Sequence, residues 1–461
     1  MSRRWFDKLF GGAPVRTDSP SPISDVACLR LRFERETRSE DLSQANRREP
    51  AHERTTLEVT LGNGFFIEER GGKRAIYDFD TRRILSVDLA QGCYGDDSLF
   101  HEIAFRQAEL RNRVHIGDVL RAGGAQGEPA VFLLDPIFSE HDLAMCRDGS
   151  PARFEQQRDR RSVAFRAAGY EFFTQSHEKV DLSELQAGWL ARFVRYRLNL
   201  HPILLDQLHA RRGIPETMQL THYTPERETI SLRLVSIESS AIHGYSLEGL
   251  RLAQSAAEPD ELLTWIQEVR AQLPHGKEER NRAILADAAQ AFAAGEYLDA
   301  LLAQLEYSLQ NGPLPPGAAH LHGTLDQDSK VVRLKVILQT AGQDRAAAEQ
   351  GAILDELVDL RQSTRKAHVL MLLEGALRRS MAQDTPEDGQ VLVDLYREAL
   401  AANPFITGAY NDLAKIFAGH YQMEKAWQCW DLARQLAPEH PMLREVSALE
   451  SELSQQYPEY F

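Results

Sequence analysis

The side chains able to act as ligands or acid–base groups lie mainly in the first half of the chain, and the pair His101–Glu102 comes first. A zinc-peptidase helix needs His-Glu-x-x-His, because two imidazoles one turn apart must face one ion. Position 105 is Phe105, so that geometry is missing. His101 and the later His115 would have to meet through folding, and surface or helix-cap roles are the expectation for them. In "AIYDFD" a two-residue period puts Asp78 and Asp80 on the same side as Ile76. Paired carboxylates can run acid–base hydrolysis, but only in a cleft with positioned partners. A solvated sheet face is the simpler expectation. His201, His209 and His222 surround a polar turn without zinc-ligand spacing. Arg192, Arg195 and Arg197 are interleaved with Phe193 and Tyr196, a mixture that would suit nucleic acid. Helical projection instead sends the aromatics into a packed stripe and leaves the arginines to cover its rim. There is no G-x-S-x-G elbow and no phosphate loop, and "GNGFF" lacks the context of a dinucleotide fingerprint. The expectation is therefore no metal, no cofactor and no catalytic set, and a binding protein rather than an enzyme.

Elements that could position such groups follow from the hydrophobic periods. Residues 1–54 hold an amphipathic start, with Trp5, Phe6, Leu9 and Phe10 on one helical face, then a Gly/Pro/Ser linker and one strand around "DVACLRLRFE". The basic start would allow weak peripheral contact with an anionic membrane or docking on a partner. From Thr55 the period becomes two: "TTLEVTL", "FFIEER", "AIYDFDT" and "RILSVDL" are joined by "GNG", "GGKR" and a polar turn, the signature of an antiparallel meander. One wet face is expected for it. "SLFHEIAFRQAELRNR" reads as a helix, and "AVFLLD", "SVAFRAAGYEFFTQ" and "ETISLRLVSIE" read as strands. "LSELQAGWLARFVRYRLNL" is helical, with Leu185, Trp189, Phe193 and Tyr196 on one stripe and Ser183 or Asp181 as cap. Pro202 bends or ends it. Residues 55–255 are thus an α+β domain, as one body or two small subdomains.

A chain of 461 residues exceeds one ordinary core. Its four cysteines are far apart and form no C-x-x-C pair, which fits a reducing compartment and a cytoplasmic location. No apolar stretch approaches the roughly 20 residues of a membrane span. The formal charge of −15 is concentrated beyond Ala256, where 31 acidic and 18 basic residues fall, against 37 and 35 before it. An acidic C-terminal half repels phosphate backbones, so nucleic acid is disfavoured; it is compatible with a basic protein or peptide ligand, with solubility alone the simpler expectation.

Residues 256–461 carry no strand signal. Ten helical stretches run between Pro259 and Leu453, broken at Gly295, Gly312, Gly342, Pro386, Gly389, Pro404, Gly419 and Pro438. In "AYNDLAKIFAGHYQMEKAWQCWDLARQLAP", Tyr410, Leu413, Ala414 and Phe417 share one helical face, and Ala426, Trp430 and Ala433 share another before Pro438 stops the pair. Small residues permit close approach of the axes, and aromatics fill the remaining space.

These eight positions resemble the tetratricopeptide repeat, a 34-residue helix–turn–helix unit. Tyr410 stands at its first aromatic position, Leu413 and Ala414 at the leucine–small pair and Phe417 at the tyrosine. Ala426 opens the second helix, Trp430 stands at the phenylalanine, Ala433 at the second alanine and Pro438 at the terminal proline. Three weaker units precede it, and the resemblance covers residues 278–452. It implies an all-α solenoid after the α+β region, with a concave surface that holds a peptide or protein and with Asn411 and Lys415 facing the groove. The expected function is a protein-binding adaptor or scaffold. Two further readings stay open: a hydrolase whose α+β domain acts while the repeats position a macromolecular substrate, and a self-associating structural component, hence a homo-oligomer.

Overall fold

A computed structural model describes residues 27–41, 51–122, 139, 154–223, 226–241, 244–253, 260–315, 328–340, 347–381 and 386–461. The amphipathic start and "AVFLLD" lie outside them. Among the described residues the chain forms an α+β region with a largely antiparallel sheet and an all-α region. They belong to two units: one takes residues 19–255 with 452–461, the other residues 256–451.

The α+β unit is built on β1 (Ala27–Asp41), β2 (Ala51–Gly62), β3 (Phe65–Arg70), β4 (Lys73–Asp78), β5 (Arg83–Asp88) and β6 (Cys93–Ser98). Then follow α1 (Leu99–Ala122), β7 (Glu155–Arg158), β8 (Ser162–Ala167), β9 (Tyr170–Ser176), β10 (Lys179–Asp181), α2 (Glu184–Leu198), α3 (Pro202–Ala210), β11 (Gly213–Pro215), β12 (Thr217–Tyr223), β13 (Glu226–Ala241) and β14 (Arg251–Leu252). One sheet of 12 strands has the order β14-β6-β5-β4-β3-β2-β1-β13-β12-β9-β8-β7 among the described residues. The meander β2–β5 sits where its alternation predicts, and its β3–β4 turn is made by Gly71 and Gly72, both at positive φ (58° and 81°), as a tight right-twisted hairpin requires. The long β1–β13 ladder, from Ala27↔Ala241 to Asp41↔Glu226, joins the meander to the later strands, so the sheet is continuous.

Both faces of the meander are covered, which corrects the expectation of a wet face. Phe66, Tyr77 and Phe79 pack on Phe193 and Tyr196 of α2. On the opposite face Ile67, Ile76, Leu85 and Val87 are covered by Tyr245, Leu247 and Leu250. Asp78 is accordingly buried and accepts hydrogen bonds from Tyr245 Oη and from the Thr81 amide (2.9 Å). Helix α2 is capped by a reciprocal Ser183–Gln186 box and stops at Asn199 in the left-handed conformation, leaving Pro202 as first residue of α3. Trp189, Phe193 and Tyr196 form the buried stripe, but Leu185 points outward and is 58% exposed.

The helical unit contains α4 (Glu261–Ala271), α5 (His275–Ala293), α6 (Tyr297–Asn311), α7 (Ser329–Thr340), α8 (Ala347–Gln362), α9 (Ala367–Met381), α10 (Pro386–Ala402), α11 (Thr407–Gly419), α12 (Met423–Leu436) and, as far as residue 451, α13 (Arg444–Gln456). Each expected helical stretch has its counterpart. Pro386, expected as a break, is the first residue of α10, where a missing N–H costs nothing, and Gly389 lies inside that helix. Helices α5/α6, α7/α8, α9/α10 and α11/α12 pack as successive pairs. Within the third pair, Gly375 lets α9 lie against the ring of Tyr396, whose Oη donates to Asp412 (3.1 Å).

Helix α6 departs from a simple stack because it meets the first helix of each following pair. Leu298 and Leu302 share a core cluster with Val331, Leu334 and Ile337 of α7, Leu357 and Leu360 of α8, and Val369 and Leu370 of α9. Thr407 at the start of α11 donates to the Gln310 carbonyl (2.8 Å). The row of first helices, α7, α9 and α11, is thereby covered by the chain's own α6.

Candidate functional site

The side chains that carried possible chemistry in the α+β unit are engaged locally or exposed, and they do not converge on one site. His101 Nδ1 lies 2.5 Å from the Ser98 carbonyl, Glu102 accepts from Arg106 (2.5 Å), and Phe105 and His115 are exposed. Asp78 is buried while Asp80 is exposed, so the two carboxylates do not share an environment. His201 is buried at the N-cap position of α3 without a side-chain cap bond, with its ring 6.3 Å from that of His222, and His209 is exposed. Among the described residues no group of three or more His, Cys, Asp or Glu is placed to hold a metal ion. Arg192 stacks over Phe79 (5.1 Å), and Arg197 pairs with Glu68.

The repeat positions form the interior of the α11/α12 pair. Tyr410, Leu413, Ala414, Phe417, Ala426, Trp430 and Ala433 are all buried, and Pro438 follows α12. Asn411 is buried with them. Its Oδ1 accepts from Trp430 Nε1 (3.3 Å), and its Nδ2 has no hydrogen-bond partner among the described residues. Lys415 is partly exposed and pairs with Glu445. The tyrosine Oη of Tyr410 donates to the Pro404 carbonyl (3.0 Å) and accepts from Trp265 Nε1 of α4 (3.0 Å), and burial raises its pKa.

The Trp265–Tyr410 bond ties α4 to α11, and a cleft of about 500 Å³ lies between α4, α10, α11 and the start of α12. Leu262, Val393, Phe417, His420, Arg397 and Lys425 are among its walls, and a second hollow of about 340 Å³ at Trp265 and Leu400 shares Leu262 and Arg397 with it. The cleft mixes apolar floor with paired charges: Arg397 to Glu261 (2.7 Å) and Lys425 to Asp260 (2.8 Å). Lys425 also lies 5.7 Å from the Phe417 ring centroid. Asp260 caps α4 by accepting from the amides of Leu262 (2.9 Å) and Leu263 (3.2 Å). Burial opposes its charge, but Lys425 and these amides outweigh it and lower its pKa.

A buried charge cluster lies at the centre of the same unit. Glu306 of α6 is fully buried and accepts from Arg280 (2.9 Å), Lys366 (3.0 Å) and Asn403 (2.7 Å), with His368 Nε2 at 3.2 Å. Burial pushes its pKa upward; the hydrogen bond and charge of His368 and the Lys366 ammonium prevail and bring it down to about 2. Its position was visible in sequence as an interruption, since Leu298, Leu302, Glu306 and Gln310 follow one another at intervals of four on one stripe.

The segment 452–461 belongs to the α+β unit, and no periodicity announces its seat. Tyr460 is 1% exposed. Its Oη accepts from Arg106 (3.1 Å), its carbonyl accepts from Tyr196 Oη (3.1 Å), and Tyr196 meets its ring edge-on at 4.8 Å. Arg195 lies over that ring (4.5 Å) and pairs with Glu459 (3.3 Å). Arg106 also closes the end of α2 by donating to the carbonyls of Arg195 (3.2 Å) and Tyr196 (2.7 Å).

No protein-family model matches the chain, and no match is found among curated proteins. The class defined by the fold is therefore coarse: a largely antiparallel α+β unit with an array of paired helices. No helix among the described residues is long and apolar enough to cross a membrane.

Proposed function

We propose that the protein is a non-enzymatic, protein-binding adaptor or scaffold, and that its helix pairs are divergent tetratricopeptide-type units. The observation that carries the reading is the cleft bounded by α4, α10, α11 and the start of α12. Its volume suits a few side chains of a partner segment, with apolar anchoring at Leu262, Val393 and Phe417 and polar contacts from Asp260, Glu261 and His420. The excess of 31 acidic over 18 basic residues beyond Ala256 favours a basic segment as ligand. Asn411 does not enter this site because it is buried against Trp430.

The test is affinity capture with the full chain, followed by the same capture with Val393→Arg and Glu261→Arg. A partner held through the cleft is retained by the wild type and by a Val332→Arg control on α7, and lost from both cleft variants. Survival of every retained partner in the folded cleft variants would refute the reading.

A further inference from the structure

We propose that the face of β1, β13 and β12 opposite the α2 layer is a second binding site, and that it takes a neutral oligosaccharide. Three strands present a three-by-three grid to that face. Glu36, Arg38 and Glu40 alternate along β1, and the ladder sets Ser231, Thr229 and Arg227 of β13 beside them. Gln219, Thr221 and Tyr223 of β12 pair with the same three β13 residues. Residues of the other parity form the core: Leu220, Ile230 and Leu232 are buried, and Phe33 stacks on Phe193 of α2 at 6.5 Å. The grid, with Glu171 of β9, lines a hollow of about 520 Å³, a volume within the range of small-molecule sites. All of these residues belong to the α+β unit, so the site is separate from the helical cleft.

The distribution of polarity decides the class of ligand. Every charged side chain of the lining is paired: Glu36 with Arg38 (2.5 Å), His52 (2.9 Å) and Arg54 (3.3 Å), Glu40 with Arg227, and Glu171 with Arg166 (3.2 Å). An ion therefore finds no unmatched charge there. The centre is neutral. Gln219, Thr221, Thr229 and Ser231 form a two-by-two block whose side chains make no hydrogen bond or ion pair among the described residues. Thr221 lines the hollow although it is only 6% exposed, and a hydroxyl so placed gains more from a ligand than one already open to water. Apart from the Tyr223 ring, no apolar side chain lines the hollow among the described residues, so a lipid or an apolar peptide anchor finds no floor. The strands set side chains about 4.8 Å apart across the grid and about 6.8 Å apart along it. Hydroxyls of a sugar ring, each both donor and acceptor, can meet such a plane of hydroxyls, amide and spare carboxylate lone pairs.

Saturation-transfer NMR titrations of the full-length protein test this, with maltose, cellobiose and diacetylchitobiose as probes and pyrophosphate as an anionic competitor. At least one disaccharide is expected to bind with a Kd of about 1 mM or tighter, and pyrophosphate is expected not to displace it. Thr221→Val keeps the shape of the side chain and removes its hydroxyl; it should weaken that binding at least about fivefold. Ser231→Trp fills the hollow and should abolish binding. Val393→Arg in the helical cleft should leave it unchanged, so the two sites fail or stand separately. Should Ser231→Trp fail to fold by circular dichroism, Gln219→Leu replaces it, with the same loss expected as for Thr221→Val. Absence of binding by all three disaccharides, binding unaltered in the folded variants, or displacement by pyrophosphate overturns the proposal.

Discussion

Replacing Glu306 by glutamine keeps the shape of α6 and removes its buried charge, leaving Arg280 without its Glu306 carboxylate and Lys366 with Asp287. Two routes give the size of the effect. Removing one partner of a buried ion pair costs about 3–5 kcal/mol, and the retained amide oxygen, which still accepts hydrogen bonds, places this case at the lower end. Independently, the Glu306 carboxyl lies at about 2 in the folded protein against an ordinary 4.5, and that difference corresponds to roughly 3 kcal/mol of linkage stability. Because the folded value is depressed, this stability is present in full above the ordinary value and is lost as pH falls from about 4.5 towards 2. A urea titration read by pulsed hydrogen exchange on peptides spanning 297–311 and 366–381 isolates the helical unit. Glu306→Gln is expected to lower its stability by about 3 kcal/mol at pH 7, and the gap from wild type is expected to close on acidification. A loss below about 1 kcal/mol at pH 7, or wild type and variant declining in parallel through the acid range, would refute the electrostatic account.

Trp430→Ala empties a buried site that also packs edge-on against Trp427 (4.8 Å), and a urea titration should show the helical unit weakened by about 3–5 kcal/mol. Gly375→Ala would place a Cβ 2.7 Å from the Tyr396 ring; thermal unfolding should report a loss of about 1–3 kcal/mol from overpacking. Asn411→Ala and Lys415→Ala should separate in the same measurement. The first breaks a buried hydrogen bond and costs about 1–2 kcal/mol, while the second removes a partly exposed pair and stays within about 0.5 kcal/mol.

Local features made much of the architecture legible. The Gly71–Gly72 turn and the alternation around it fix β3 and β4, and Ser183 with Gln186 fixes the start of α2. Glycine and proline breaks delimit the helices because backbone conformation there is decided within a few residues. What could not be read depends on partners distant in the chain. Asp78 looks solvated until Tyr245, 167 residues later, is brought over it. Leu185 fits the helical stripe, yet among the described residues it stays 58% exposed. Asn411 has the polarity of a groove residue, but helix α12 turns Trp430 onto it. Tyr460 stands in a short polar context, and its seat is assembled from arginines spread over α1 and α2.

The placement of α6 bears most directly on where a ligand can enter the helical unit. A purely apolar stripe can slip by one turn, about 5.4 Å, and keep much of its burial. Glu306 and Gln310 forbid this, because their partners on α5, α9 and the α10–α11 connection sit at fixed heights: Asn403 alone donates to both Glu306 (2.7 Å) and Gln310 (2.8 Å). An intruding segment along α7, α9 and α11 would have to strip a buried carboxylate from its cations before gaining any contact, a penalty of several kcal/mol. The outer cleft imposes no such step: its charges at Arg397 and Glu261 are side chains 46% and 81% exposed, and surface pairs of that kind exchange partners at little cost. Binding at the inner row therefore requires the array to open, whereas binding at the outer cleft requires only that rotamers move.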